Sequence, residues 1–144
     1  MVEQDTISLL RECDSGIKMG ASSIEDVMKY VRSRELESRL SECKNAHLTL
    51  GDEVESLLEK YDSSSKNPNP VIKTMSKMKT AMKLGINESD RAIADLMTDG
   101  CNMGVKSLSK YLNQYKAASD ESKSIAKKLI DIESNLAIDM REYL

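Results

Sequence analysis

A chain of 144 residues is one domain's worth and long enough to bury a core. With no Phe, no Trp, two Pro and six Gly, it lacks what strands and their turns need, and it reads as all-helical. A net charge of −3 and only five aromatic rings, all Tyr, exclude a stacking platform for single strands and argue against a nucleic-acid partner.

Four stretches carry apolar residues at alternating spacings of three and four, the mark of a helix with one buried face. The first runs Leu10, Cys13, Ile17, Gly20, Ile24, Val27, Val31. Ser33 breaks the pattern, and the second runs Leu36, Leu40, Cys43, His47, Leu50, Val54, Leu57, Tyr61. Asp62 to Pro70, with two prolines and no apolar residue, is a linker. Residues 71–84 then predict a short amphipathic helix, with Met75, Met78 and Met82 on the apolar side and Lys73, Lys77, Lys79 and Lys83 supplying charge. Gly85 and Asn87 interrupt, and Asn87 or Ser89 can cap the third stretch: Ala94, Met97, Cys101, Gly104, Leu108, Tyr111, Tyr115. Ser119 or Asp120 can cap the fourth: Ile125, Leu129, Ile132, Leu136, Asp139 or Met140, Tyr143. Short, long, then short connections predict one domain: an antiparallel four-helix bundle of two hairpins, about 4–62 and about 88–143, with the extra helix in the crossover.

Charge is uneven along the chain. Residues 1–62 carry 14 acids and 8 bases, residues 63–87 carry five Lys and no acid, and residues 88–144 carry 10 acids and 8 bases. The basic stretch is therefore the candidate surface for a protein partner, a second subunit or, as a lesser alternative, an anionic membrane. Three cysteines without a CxxC spacing predict free thiols and a reducing compartment. No apolar run approaches a membrane span, and the first residues, MVEQDTISLLREC, have acids where a signal peptide would be basic. The expectation is a soluble, cytoplasmic protein.

An internal repeat links the first and third helices. Ser15-Gly-Ile-Lys-Met-Gly-Ala-Ser-Ser-Ile24 aligns with Asp99-Gly-Cys-Asn-Met-Gly-Val-Lys-Ser-Leu108 at a constant offset, matching Gly16, Met19, Gly20 and Ser23 to Gly100, Met103, Gly104 and Ser107. Glycine inside a helix costs about 1 kcal/mol relative to Ala. Two such positions kept in both copies predict that the first and third helices approach closely there.

Two related hairpins joined by a long crossover are the plan of the ferritin-like superfamily. The segment Ala92-Ile-Ala-Asp-Leu-Met-Thr-Asp-Gly-Cys-Asn-Met-Gly-Val-Lys106 resembles a bacterial ferritin-like family of unknown function, in which a short basic helix precedes the third bundle helix. Leu9-Leu-Arg-Glu-Cys-Asp-Ser-Gly16 is similar to that family's first helix, and the likeness runs from about residue 7 to the C-terminus. Metal-binding members of the superfamily take one Glu from the first helix of each hairpin and a Glu-x-x-His from the second. Here the second helix has Lys44-Asn-Ala-His47 and the fourth Glu133-Ser-Asn-Leu136; aligning Cys43 with Ile132 gives each hairpin half of the motif. The ligand set the resemblance implies is Asp14, His47, Asp99 and Glu133, for iron or manganese, with Lys44 placing a cation against the metal. The degenerate motif favours no bound cofactor and a non-catalytic scaffold that binds a partner or forms a homo-oligomer. A divergent oxidase or metal store is the alternative.

The remaining chemistry is sparse. Cys43 and His47 lie one turn apart, so a thiol nucleophile with its base is conceivable, although a seam cysteine is ordinarily an inert small hydrophobe. His47 is the single histidine and sits on an apolar seam, as a core imidazole bonded to a neighbour, a metal ligand or a pH-responsive group. There is no nucleophile elbow, P-loop or dinucleotide fingerprint.

Overall fold

The computed structural model describes residues 2–61 and 89–144, and the described residues form four long α-helices. They are α1 (Val2–Met28), α2 (Arg34–Lys60), α3 (Ser89–Gln114) and α4 (Asp120–Met140), with a turn of 3-10 helix at Arg141–Tyr143. There is no strand among the described residues. The expected linker at 62–70 and the crossover helix at about 71–84 lie outside the described residues.

The helices form where the apolar period runs and begin where a serine can cap them. Ser33 Oγ accepts the Leu36 N–H at 3.2 Å, and Ser119 Oγ accepts the Ser122 N–H at 3.2 Å. Acids follow both caps, Glu35 and Glu37 in α2 and Asp120 and Glu121 in α4, where the helix dipole favours them. Ser89 is the first residue of α3 rather than its cap, and Asn87 lies outside the described residues.

The caps also set the register between the hairpins. Ser33 to Ser119 is an offset of 86, and it lays six buried residues of α4 on buried residues of α2. Leu36 falls on Ser122, Leu40 on Ala126, Cys43 on Leu129, His47 on Glu133, Leu50 on Leu136 and Val54 on Met140. This corrects the expected alignment of Cys43 with Ile132: Ile132 is only half buried, while Glu133 occupies the seam. His47 and Glu133 are therefore equivalents, and neither hairpin holds half of a Glu-x-x-His.

The two hairpin turns are tied by equivalent bonds. The Ser33 N–H donates to Asp90 Oδ2 at 3.0 Å, and the Ser119 N–H donates to Thr6 Oγ1 at 2.8 Å. Thr6 and Asp90 stand at the same offset as Gly20 and Gly104. Each hairpin's second helix is thus seated on the first helix of the other hairpin. The Arg32 N–H to Asp90 Oδ1, 2.8 Å, and the Ala117 N–H to Asp5 Oδ2, 3.0 Å, reinforce the two junctions.

The core is in two parts. One cluster gathers Leu9, Leu10, Cys13 and Ile17 of α1, Leu50 to Leu58 of α2, Leu108 of α3 and Ile125 to Leu129 of α4. The other gathers Ile24 and Val27, Leu36 to Cys43, Ile93 to Cys101, and Leu136 and Met140. Between them every helix contributes one residue that is not an apolar side chain: Gly20, His47, Gly104 and Glu133. No helix among the described residues is long and apolar enough to cross a membrane.

The caps generate a test. Ser33→Ala and Ser119→Ala should each lower unfolding free energy by about 1 kcal/mol, and because the sites lie at opposite ends of the bundle the double variant should lose their sum. Urea denaturation of the three variants checks this.

Candidate functional site

The site is built at that middle level. His47 lies on the inward stripe of α2 and is almost fully buried. Its Nδ1 is 2.8 Å from the Cys43 carbonyl oxygen. A carbonyl only accepts, so Nδ1 carries a proton and Nε2 is the atom that titrates. The Cys43 sulfur lies 3.6 Å from the same Nδ1. On the other side Nε2 faces Glu133 Oε1 at 3.8 Å, an electrostatic neighbour rather than a direct hydrogen bond. Neither His47 Nε2 nor Glu133 Oε2 has a hydrogen-bond partner among the described residues.

Burial pulls the imidazole pKa down, but the bonds to Cys43 and the carboxylate of Glu133 outweigh it and push His47 up to about 10. The imidazolium is then the resting form at neutral pH, facing a carboxylate.

The glycines of the repeat explain how two polar groups fit here. A Cβ added at Gly20 would lie 2.5 Å from His47 Nε2, and one added at Gly104 would run into the Glu133 carboxylate. Each glycine therefore makes room for a polar side chain of its own hairpin. This corrects the expectation that Gly16, Gly20, Gly100 and Gly104 let the first and third helices touch: Gly16 meets Leu129 of α4 at 3.6 Å, and nothing lies within 4 Å of a Cβ at Gly100.

What lies between α1 and α3 is a cavity of about 380 Å³. All four identities of the repeat line it, as the pairs Gly16 and Gly100, Met19 and Met103, Gly20 and Gly104, Ser23 and Ser107. His47 and Glu133 form its buried floor, and the exposed Met103 and Asp99 stand at its margin. Apart from the floor pair and a few rim groups, the walls are apolar: Ile24, Leu96, Met97, Leu108 and Leu136.

Of the four implied metal ligands, only His47 and Glu133 are brought together. Asp14 is buried and pairs with Lys18 at 3.0 Å, and Asp99 is exposed at the cavity rim. Among the described residues no three of His, Cys, Asp and Glu are grouped so as to hold a metal ion. The set Asp14, His47, Asp99 and Glu133 thus does not fit iron or manganese: one carboxylate and one imidazole are too few for a buried dimetal centre. Lys44 is not at the site either, since it reaches Glu25 at 3.9 Å.

All three cysteines are free and buried. Burial, with Glu12 and Asp14 nearby, pushes the Cys13 thiol up to about 12; burial, with Glu133 and Cys43 nearby, does the same to Cys101. At neutral pH both are thiols, not nucleophiles. Tyr111 and Tyr115 stack with ring centroids 6.3 Å apart, and Tyr111 also lines the cavity. The basic surface candidates Lys73, Met75, Lys77, Met78, Lys79, Met82 and Lys83 lie outside the described residues. No protein-family model, curated protein or solved structure matches the chain.

Two tests follow from the floor. Gly100→Ala should stabilise the protein by up to about 1 kcal/mol, since only helix propensity changes. Gly20→Ala should instead destabilise it by about 1–3 kcal/mol, because the tethered His47 ring must give way. Combining Gly20→Ala with His47→Ala should show strong non-additivity in a thermal double-mutant cycle.

The second test is pH. The folded pKa of His47 is raised above its unfolded value, so its stabilisation is complete below about pH 6.5 and is lost as pH rises toward about 10. The difference in urea midpoint between the native sequence and His47→Gln should shrink steadily across that window.

Proposed function

We propose that the protein is a non-catalytic, cytoplasmic helical binding protein on the ferritin-like plan, in which the centre of the bundle serves as a ligand pocket. The ends of the helices support the ferritin-like reading. The starts of α1 and α4 share one apolar cluster with the ends of α2 and α3, the arrangement of two antiparallel hairpins joined by one long crossover. The level that would carry a dimetal centre on that plan carries two glycines, one imidazole and one carboxylate.

The observation that carries the pocket reading is the coincidence of the repeat with the cavity. Packing favours filling such space, because interiors are dense and voids destabilise. Both copies instead keep the same small or flexible residue at every repeated place on the wall. A concave, mainly apolar cavity with a few convergent polar groups is the usual form of a small-molecule site, and about 380 Å³ falls in the usual range. The thiol that lines the pocket, Cys101, is held protonated by burial, which favours a binding role over a nucleophilic one.

Fluorescence titration with N-phenyl-1-naphthylamine, an uncharged apolar probe, tests the reading. The native protein should bind about one equivalent with a dissociation constant near the micromolar range. Gly100→Phe places a ring into open space at the cavity wall and should weaken binding by roughly tenfold or more. No binding by the native protein, or equal binding by the variant, overturns the reading.

A further inference from the structure

We propose that His47 and Glu133 recognise a hydroxyl group carried by an otherwise apolar, uncharged molecule. The inference rests on the pocket reading above and specifies its ligand. It starts from three facts. His47 Nε2 and Glu133 Oε1 are 3.8 Å apart, too far for a direct bond. His47 Nε2 and Glu133 Oε2 have no partner among the described residues. Both side chains line the inner end of the cavity.

A gap of that width admits one oxygen atom within hydrogen-bond distance, about 2.8 Å, of both groups. The chemistry of the two sides selects that oxygen. With Nδ1 committed to the Cys43 carbonyl, the imidazolium offers one N–H at Nε2, and the carboxylate offers only acceptors. A hydroxyl oxygen accepts from Nε2 and donates its hydrogen to Glu133, so one group satisfies both. A carboxylate ligand could accept but not donate, and an ammonium could donate but not accept.

Charge leads to the same class. The pair sums to zero whichever partner holds the shared proton, so the floor offers no net charge to an ion. An anion entering the pocket would also pass Asp99 at its rim. A cation would gain from Glu133 about what it loses to the imidazolium, and would give up its hydration in doing so. The apolar walls take the rest of the molecule. An apolar cavity of roughly 150 Å³ holds a benzene, so this one suits a body of about naphthalene size.

The test is calorimetric titration of the full-length protein with four ligands sharing one body: 2-naphthalenemethanol, 2-naphthoate, 2-naphthylmethylammonium and naphthalene. The alcohol should bind roughly tenfold or more tightly than each of the other three. The variants His47→Leu and Glu133→Leu should lose this preference while still binding naphthalene, which also shows that they fold. A control away from the pocket, Asp52→Asn on the exposed face of α2, should keep it. Binding of naphthalene without preference for the alcohol, in a protein that folds normally, overturns the hydroxyl assignment and leaves the pocket standing. Preference for the carboxylate or the ammonium overturns it too. Failure of all four ligands to bind overturns the pocket reading itself.

Discussion

His47 and Glu133 face each other between the two apolar clusters of the bundle, at the level of Gly20 and Gly104. Burying either alone would be costly, since an unpaired charge in the interior gives up its hydration for nothing. Buried together at 3.8 Å they compensate each other, and against the pull of burial the bonds to Cys43, together with Glu133, push the imidazole pKa up. The rest of the core is arranged around this pair. One apolar cluster fills the bundle on one side of it and a second fills the other, and each is closed by a serine-capped turn seated on the opposite hairpin. The pair thus adds a constraint on register to the one set by the capped turns. A slide of α4 by one turn would carry Glu133 into an apolar cluster and leave the His47 charge unanswered. Polar groups buried in this way cost stability and restrict the ways in which helices can pair.

Much of this was legible in the chain. The seams of α1 and α2 were readable because the helical period is unbroken there, and Ser33 and Ser119 were readable as punctuation for the same reason. The offset between α1 and α3 showed because glycines inside helices are rare enough for a matched pair to stand out. The neighbour each glycine serves was not legible. A missing Cβ admits a backbone or a side chain equally well, and the choice depends on how the opposite helix is rotated. The expected contact between α1 and α3 failed on that point: the space at Gly20 and Gly104 belongs to side chains of α2 and α4.

The metal set failed for a related reason. A ligand must stand at the right angle around its helix as well as at the right height along it, and Asp14 and Asp99 do not turn toward His47 and Glu133. Asp14 already had a better partner in Lys18 one turn on, a pairing that the sequence spacing contains. Asp99 projects to solvent from the cavity rim. A seam residue such as Cys43 does not reveal the equivalence of His47 and Glu133, because a seam tolerates a shift of three or four. A cap does not tolerate it, since the capping hydroxyl must sit just before the first turn. Alignment from Ser33 and Ser119 would have paired the two without a structure.

The absence of Phe and Trp takes on a physical meaning in this light. Large rings at the wall positions of α1 and α3 would fill the space between them. Both copies of the repeat carry Gly, Met, Gly and Ser there instead. Helical glycines cost roughly 1 kcal/mol each, and a domain of this size has only about 5–15 kcal/mol of stability in all. Gly20 and Gly104 return that cost by seating the buried pair. Gly100 does not, for nothing lies within 4 Å of its missing side chain and an alanine would fit without strain. An alanine there is one of the easy gains in stability that natural chains commonly leave unused. The position of Gly100 on the cavity wall means that any larger side chain there would take up space in the cavity.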